Sequence, residues 1–156
     1  MTTSTTVTTD GTDLLVERVF AAPPELVWRA FTEPEHLARW WGPHGTTTVV
    51  TELDLRPGGT WRFVNRAADG RETPFRGQYL ELDPPRRLVQ TFAVEALADQ
   101  VVTETTTFTP VPGGTRVATR SVFPSADALQ GAVSSGMARG ATESHERLDA
   151  VLAAAS

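Results

Sequence analysis

Residues 124–152, PSADALQGAVSSGMARGATESHERLDAVL, decide the fold. Pro124 ends any strand before it, Ser125 is a good helix N-cap, and Asp127 suits the positive end of the helix dipole. Leu129, Val133, Met137, Gly140, Ala141, Ser144, Leu148, Val151 and Leu152 recur at steps of mostly three and four, which predicts one long helix with a single inward stripe. Arg139, Glu143, Glu146, Arg147 and Asp149 fall on the outward face. Gly131, Gly136 and Gly140 each cost about 1 kcal/mol of helix propensity relative to Ala, so the helix is either closely approached or loosened there.

What this helix must cover lies upstream. Asp13 to Phe20 (DLLVERVF) reads as a first strand near an edge, and Pro23-Pro24 stops it. PPELVWRAFT then spaces Leu26, Val27, Ala30 and Phe31 as a short helix. A second short helix over 33–40 ends at Gly42-Pro43. From Thr46 onward, Thr, Val and aromatic residues alternate with turn signals at Pro57-Gly58-Gly59, Asp69-Gly70, Pro84-Pro85 and Pro112-Gly113-Gly114. These turns divide residues 46–123 into six strands of an antiparallel meander. The class is α+β: a curved antiparallel sheet of six to seven strands around the C-terminal helix, with two short helices after the first strand.

The 156 residues suffice for one domain with a substantial core, and we place it at 13–154 behind a disordered polar tail at 1–12. Hydrophobic residues at 40% and charged residues at 21% are a globular balance. A net charge of -5 repels phosphate backbones and acidic lipid, so nucleic acid and membrane are not expected as partners. The absence of cysteine excludes disulfides, thiolate nucleophiles and thiolate metal sites. With neither a signal-peptide pattern nor an 18-residue apolar run, the expected location is the cytoplasm.

Chemical motifs are sparse. His36, His44 and His145 have no metal-ligand spacing, and His36 and His44 read as surface or loop residues. No serine stands in a nucleophile elbow, and the Gly-Gly pairs are hairpin turns, since no Lys-Ser/Thr pair follows them. No metal and no cofactor is expected. Glu104 stands in the strand VVTETTTFTP on the side of Val102 and Phe108 by strict alternation. Facing an apolar interior, its pKa would rise and it would serve as a general acid or hold a ligand hydroxyl; on a solvated outer face it would do neither. Trp41, at a helix end beside Gly42-Pro43, is the aromatic residue best placed for a pocket mouth.

The segments ERVFAAPPELVWRAFTEPEHLARWWGP, LDLRPGGTWRF, DGRETPFRGQYLELDPPRRLVQTF, GGTRV and the final GM-x-x-G-x-x-x-S-x-x-RL resemble the START-like (SRPBCC) superfamily. The resemblance is to the branch of activator of Hsp ATPase homologues and runs from about Glu17 to Leu152. It implies a helix-grip, Bet v-like fold with a deep pocket between sheet and C-terminal helix for lipids, polyketides, hormones or other apolar molecules. The family pattern has Trp after the second Gly of GM-x-x-GW and Leu four residues later, where this chain has Ala141 and His145. The lost indole volume becomes ligand space with His145 as a polar handle, or neighbouring aromatics fill it and His145 turns to solvent.

The leading expectation is a binding protein for a small hydrophobic molecule, aromatic, polyketide-like or lipid-like, as a monomer or homodimer. Trp41, Trp61, Phe63, Tyr79, Phe92, Phe108, Met137, Ala141, Ser144 and His145 are the candidate lining residues. The alternatives are a cyclase or aromatase-type enzyme, with Glu104 or His145 moving a proton, and a chaperone-type partner-binding module.

Overall fold

A computed structural model describes residues 4–155. Its eight strands are β1 (Thr6–Asp10), β2 (Asp13–Phe20), β3 (Thr47–Leu53), β4 (Thr60–Arg66), β5 (Glu72–Asp83), β6 (Arg87–Val94), β7 (Val102–Val111) and β8 (Gly114–Val122). They form one antiparallel sheet in the order β1-β2-β8-β7-β6-β5-β4-β3. Helices α1 (Pro24–Thr32) and α2 (Pro34–Trp40) sit between β2 and β3, and α3 (Ala126–Ser134) and α4 (Met137–Ala155) follow β8. This is the helix-grip arrangement, since the chain leaves the meander at β8 and lays its last helix over the sheet's apolar face.

Two expectations are corrected. Within the stretch assigned to a disordered tail, Thr6–Asp10 is a strand, paired antiparallel with β2 from Thr6↔Glu17 to Asp10↔Asp13. The sheet therefore has eight strands, and β2 is interior to it, between β1 and β8. The second correction concerns the C-terminal helix, which is interrupted after Ser134. Gly136 has φ +95, a left-handed conformation that ends α3, and its N–H donates to the Val133 carbonyl at 3.1 Å. Helix α4 then restarts at Met137.

The inner face follows from strand alternation. In β2, Leu14, Val16, Arg18 and Phe20 are buried while their neighbours are half-buried, and in β7 Val102, Thr106 and Phe108 are buried. The core on this face is divided. One cluster joins Phe20, Val27, Trp61, Phe63, Phe108 and Leu148 under α1, α2 and the C-terminal half of α4. The other joins Leu14, Val16, Val102, Phe123 and Leu129 under α3 and the start of α4, with Met137 and Ala141 packed against it. Half-buried Phe92 touches both clusters.

Candidate functional site

The turn after α2 is fixed to α4 by hydrogen bonds. Arg147 Nη1 donates to the carbonyls of Gly42 and Pro43, each at 3.0 Å, and Nη2 to that of Arg39 at 3.1 Å. The Gly42 N–H donates to Ser144 Oγ at 3.0 Å, and the His44 N–H to Glu143 Oε1 at 3.1 Å. On the other side, Asn65 Nδ2 donates to Thr46 Oγ1 at 2.9 Å and Thr48 Oγ1 at 3.1 Å. Gly42 has φ +108, and a Cβ there would lie 2.4 Å from Asn65 Nδ2, so both conformation and space require glycine. The S-x-x-R spacing of α4 thus has a structural purpose: one turn of helix separates a hydroxyl acceptor from a guanidinium that binds the carbonyls the turn leaves open.

Trp41, held at the end of α2 by this turn, extends one edge of an aromatic wall. Its ring meets Phe63 edge-on at 5.2 Å and Phe75 at 4.9 Å between centroids. Phe75 stacks on Phe92 at 5.4 Å, and Trp61 lies 6.2 Å from Phe92 and 4.6 Å from Phe63. Gly77 makes room for Trp61, since a Cβ there would stand 2.5 Å from the indole and 2.0 Å from the Thr91 carbonyl oxygen. Trp61 Nε1 is buried and has no hydrogen-bond partner among the described residues.

Next to the wall runs a polar row. Register places Tyr79, Gln90, Glu104, Ser121 and Leu14 side by side across β5, β6, β7, β8 and β2. Glu104 shares the inner face with Val102 and Phe108, as strict alternation predicts. Ser121 Oγ donates to Glu104 Oε2 at 3.2 Å and Gln90 Nε2 to Oε1 at 3.4 Å. Burial raises the Glu104 pKa above its ordinary 4.5, against the lowering effect of the two hydrogen bonds. In the next row Thr106 and Thr119 are linked at 3.0 Å between their hydroxyls. These polar residues fall between the two apolar clusters.

His145 neither turns to solvent nor stands open as a handle. It is 6% exposed, packed edge-on against Phe20 at 5.3 Å between ring centroids, with Nδ1 3.1 Å from Thr5 Oγ1. Burial, aided by the nearby Arg18 charge, lowers its pKa to about 4. Arg18, itself on the inner face, donates to Asp149 Oδ2 at 2.9 Å and to Thr5 Oγ1 at 3.3 Å. Sequence reasoning passed over Arg18, although alternation between Val16 and Phe20 places it inside.

The other candidates separate by burial and contact. Trp61, Phe63, Tyr79 and Phe108 are buried, and Phe108 packs edge-on against Trp28 and Phe31 under α1. Trp41, Phe92, Met137 and Ala141 are half-buried, and half-buried Ser144 is engaged by the Gly42 turn. Phe75, missed in the sequence, joins the wall. Glu104 and His145 belong to different neighbourhoods, one held from β6 and β8 and the other from Thr5, just before β1, and Phe20 of β2. Two surface hollows lie elsewhere: one is bounded by Ala21–Pro24 and Gly113-Gly114, the other by Leu15, Thr105, Thr107, Ala118 and Arg120 on the outer face. Among the described residues, no group of three or more His, Cys, Asp or Glu side chains gathers as metal ligands would.

An open antiparallel sheet gripping a C-terminal helix, with aromatic and polar residues between them, defines a protein of the START-like (SRPBCC) class. The chain belongs to the family described as activator of Hsp90 ATPase homolog 1-like protein, whose model matches residues 21–153. It is similar to protein Ms6760 from Mycobacterium smegmatis, with 31% identity, 96% of each chain covered and a TM-score of 0.84. A protein from Rhodobacter sphaeroides is 28% identical, with a TM-score of 0.88 over 96% of this chain and 99% of its own. One from Arthrobacter aurescens is 25% identical, with a TM-score of 0.89 over 95% of this chain and 91% of its own. No curated protein matches the chain. No helix among the described residues is long and apolar enough to cross a membrane.

Proposed function

We propose that the protein binds a small hydrophobic molecule, aromatic, polyketide-like or lipid-like, between the inner face of its sheet and helix α4. The observation that carries this reading is residual exposure on surfaces that face each other. Gln90, Phe92 and Glu104 on the sheet and Met137 and Ala141 on α4 are only half-buried, whereas Leu88, Val102, Thr106 and Ser121 beside them are buried. A close-packed interface leaves neither side exposed, whereas a gap reachable by solvent leaves both partly so. Ala141, where the family resemblance places Trp, leaves a much smaller side chain on that side. The aromatic wall supplies apolar contact, and the Glu104 row supplies polar contact.

A titration of the purified protein with hydrophobic and aromatic metabolites, followed by tryptophan fluorescence, tests the reading. Saturable quenching by at least one compound supports it, and a flat response across a broad panel counts against it. Recovery of each compound for mass analysis addresses the second reading, an enzyme of cyclase or aromatase type. That reading is favoured by Glu104, whose carboxyl group, partly withdrawn from water, holds its proton to a higher pH than a fully solvated one and so suits an acid role. Unchanged recovered compounds support a carrier; an altered one supports the enzyme.

A further inference from the structure

Glu104 lies on the inner face of β7, and both partners of its carboxyl group are neutral donors, Ser121 Oγ at 3.2 Å and Gln90 Nε2 at 3.4 Å. Two neutral donors aimed at its two oxygens favour the carboxylate form, yet they use only about half of the roughly four acceptor positions a carboxylate offers. Among the described residues no arginine or histidine forms an ion pair with it. Arg18, the cation on the same face, is two rows away at the level of Val117 and committed to Asp149 at 2.9 Å. A carboxylate partly withdrawn from water and without a counter-charge is costly, and a cationic ligand lying against it would provide one.

The same face carries a group of aromatic rings nearby. Phe92 is two residues from Gln90 on the same face of β6, and its register partner Val102 is two residues from Glu104. Behind Phe92 stand Phe75 at 5.4 Å and Trp61 at 6.2 Å, with Trp41 4.9 Å from Phe75. Aromatic faces attract organic cations and equally accept the flat apolar body that carries one.

We propose that the ligand is an amine: an ammonium group on an aromatic or alicyclic body, with the ammonium on Glu104 and the body against Phe92, Phe75 and Trp41. This rests on the small-molecule reading above and names the chemical class that site takes. The raised carboxyl pKa agrees with it, since a partly desolvated carboxylate lacking a cation is the kind that an ammonium stabilises.

The test uses three probes with one ring system: 2-naphthylmethylamine, 2-naphthylmethanol and 2-acetylnaphthalene, titrated at neutral pH by tryptophan fluorescence. The amine is expected to bind about tenfold or more tightly than the alcohol, as a charge-assisted hydrogen bond would give. In Glu104→Gln the ratio of amine to alcohol affinity is expected to fall to near one. Alcohol or ketone binding as tightly as the amine to the native protein overturns the amine assignment and makes Glu104 a neutral donor, leaving the small-molecule reading intact. An amine preference that survives in Glu104→Gln overturns the role of Glu104, and binding of none of the three overturns the amine assignment together with this aromatic site. The wild-type ratio decides the ligand class even if the variant fails to fold.

Discussion

His145 Nδ1 in α4 lies 3.1 Å from Thr5 Oγ1, 140 residues earlier in the chain, and the same hydroxyl accepts from Arg18 Nη1 at 3.3 Å. A hydroxyl that accepts from Arg18 has its own proton to give, so Nδ1 of a neutral His145 is the acceptor. Protonation would reverse that bond and place a second positive charge beside Arg18. The folded pKa of about 4, against an ordinary 6.5, means that the unfolded chain takes up this proton first as pH falls. The group's contribution to stability is complete above 6.5 and is lost as pH falls through about 4, amounting to roughly 3 kcal/mol. Replacing His145 with Leu removes this part of the acid sensitivity. Urea unfolding at several pH values between these limits should give a flatter profile for the variant, and parallel profiles would show that His145 is not the group responsible.

Glu104 has the opposite sign. Its folded pKa is raised above 4.5, so its contribution is present below 4.5 and is lost as pH rises through the folded value. Glu104→Gln should therefore gain stability relative to the native protein as pH rises from 4.5. A difference between the two melting curves that is independent of pH would count against an enclosed carboxyl group.

Arg147 supplies three hydrogen bonds to the turn after α2. Arg147→Met keeps much of the stem but leaves the Arg39, Gly42 and Pro43 carbonyls without their donor, at a cost of about 3 kcal/mol. Because the turn positions Trp41, the variant's tryptophan emission should also change in the folded state. An unchanged urea midpoint would mean that Asn65 and Ser144 suffice to hold the turn.

The break between α3 and α4 separates two glycines. Gly131 lies inside α3 with no atom within 4 Å of where an added Cβ would stand, so Gly131→Ala should stabilise by about 1 kcal/mol. Gly136→Ala should destabilise by about 1–2 kcal/mol, because φ +95 is strained for any residue with a side chain. Thermal unfolding of the pair measures both, and a stabilised Gly136→Ala would indicate a continuous helix in solution.

Much of this architecture was legible because turns and alternation are local properties. Pro57-Gly58-Gly59 and Pro112-Gly113-Gly114 marked hairpins, and Thr60–Arg66 is a strand that begins directly after the first of them. Strand β1 escaped notice because Thr6–Asp10 (TVTTD) has one apolar residue and is held by its backbone ladder with β2, which leaves no periodic trace. Gly136 was visible as a weak point in the helix, but the cost of a glycine does not reveal the sign of its φ.

The side of the sheet that Glu104 faces followed from counting along β7, whereas Gln90 and Ser121 required the register of two further strands. Phe75 was obscured by Pro74 and Arg76 on either side. Ser144 lay on the helical stripe and so read as a lining residue, although its partner is the Gly42 backbone 102 residues away.

The contacts of Ser144 and Arg147 with the Gly42 turn carry a consequence for how such a chain can change over evolutionary time. They fix α4 relative to α2, so the helix cannot slide or rotate without releasing the turn. Adaptation is then confined to side chains in the first turns of α4 and to α3, beyond the glycine joint. Substitutions at Met137 or Ala141 can reshape the inner surface of α4 while the clamp itself stays intact. A scaffold of this kind separates the residues that keep the protein folded from those free to diversify.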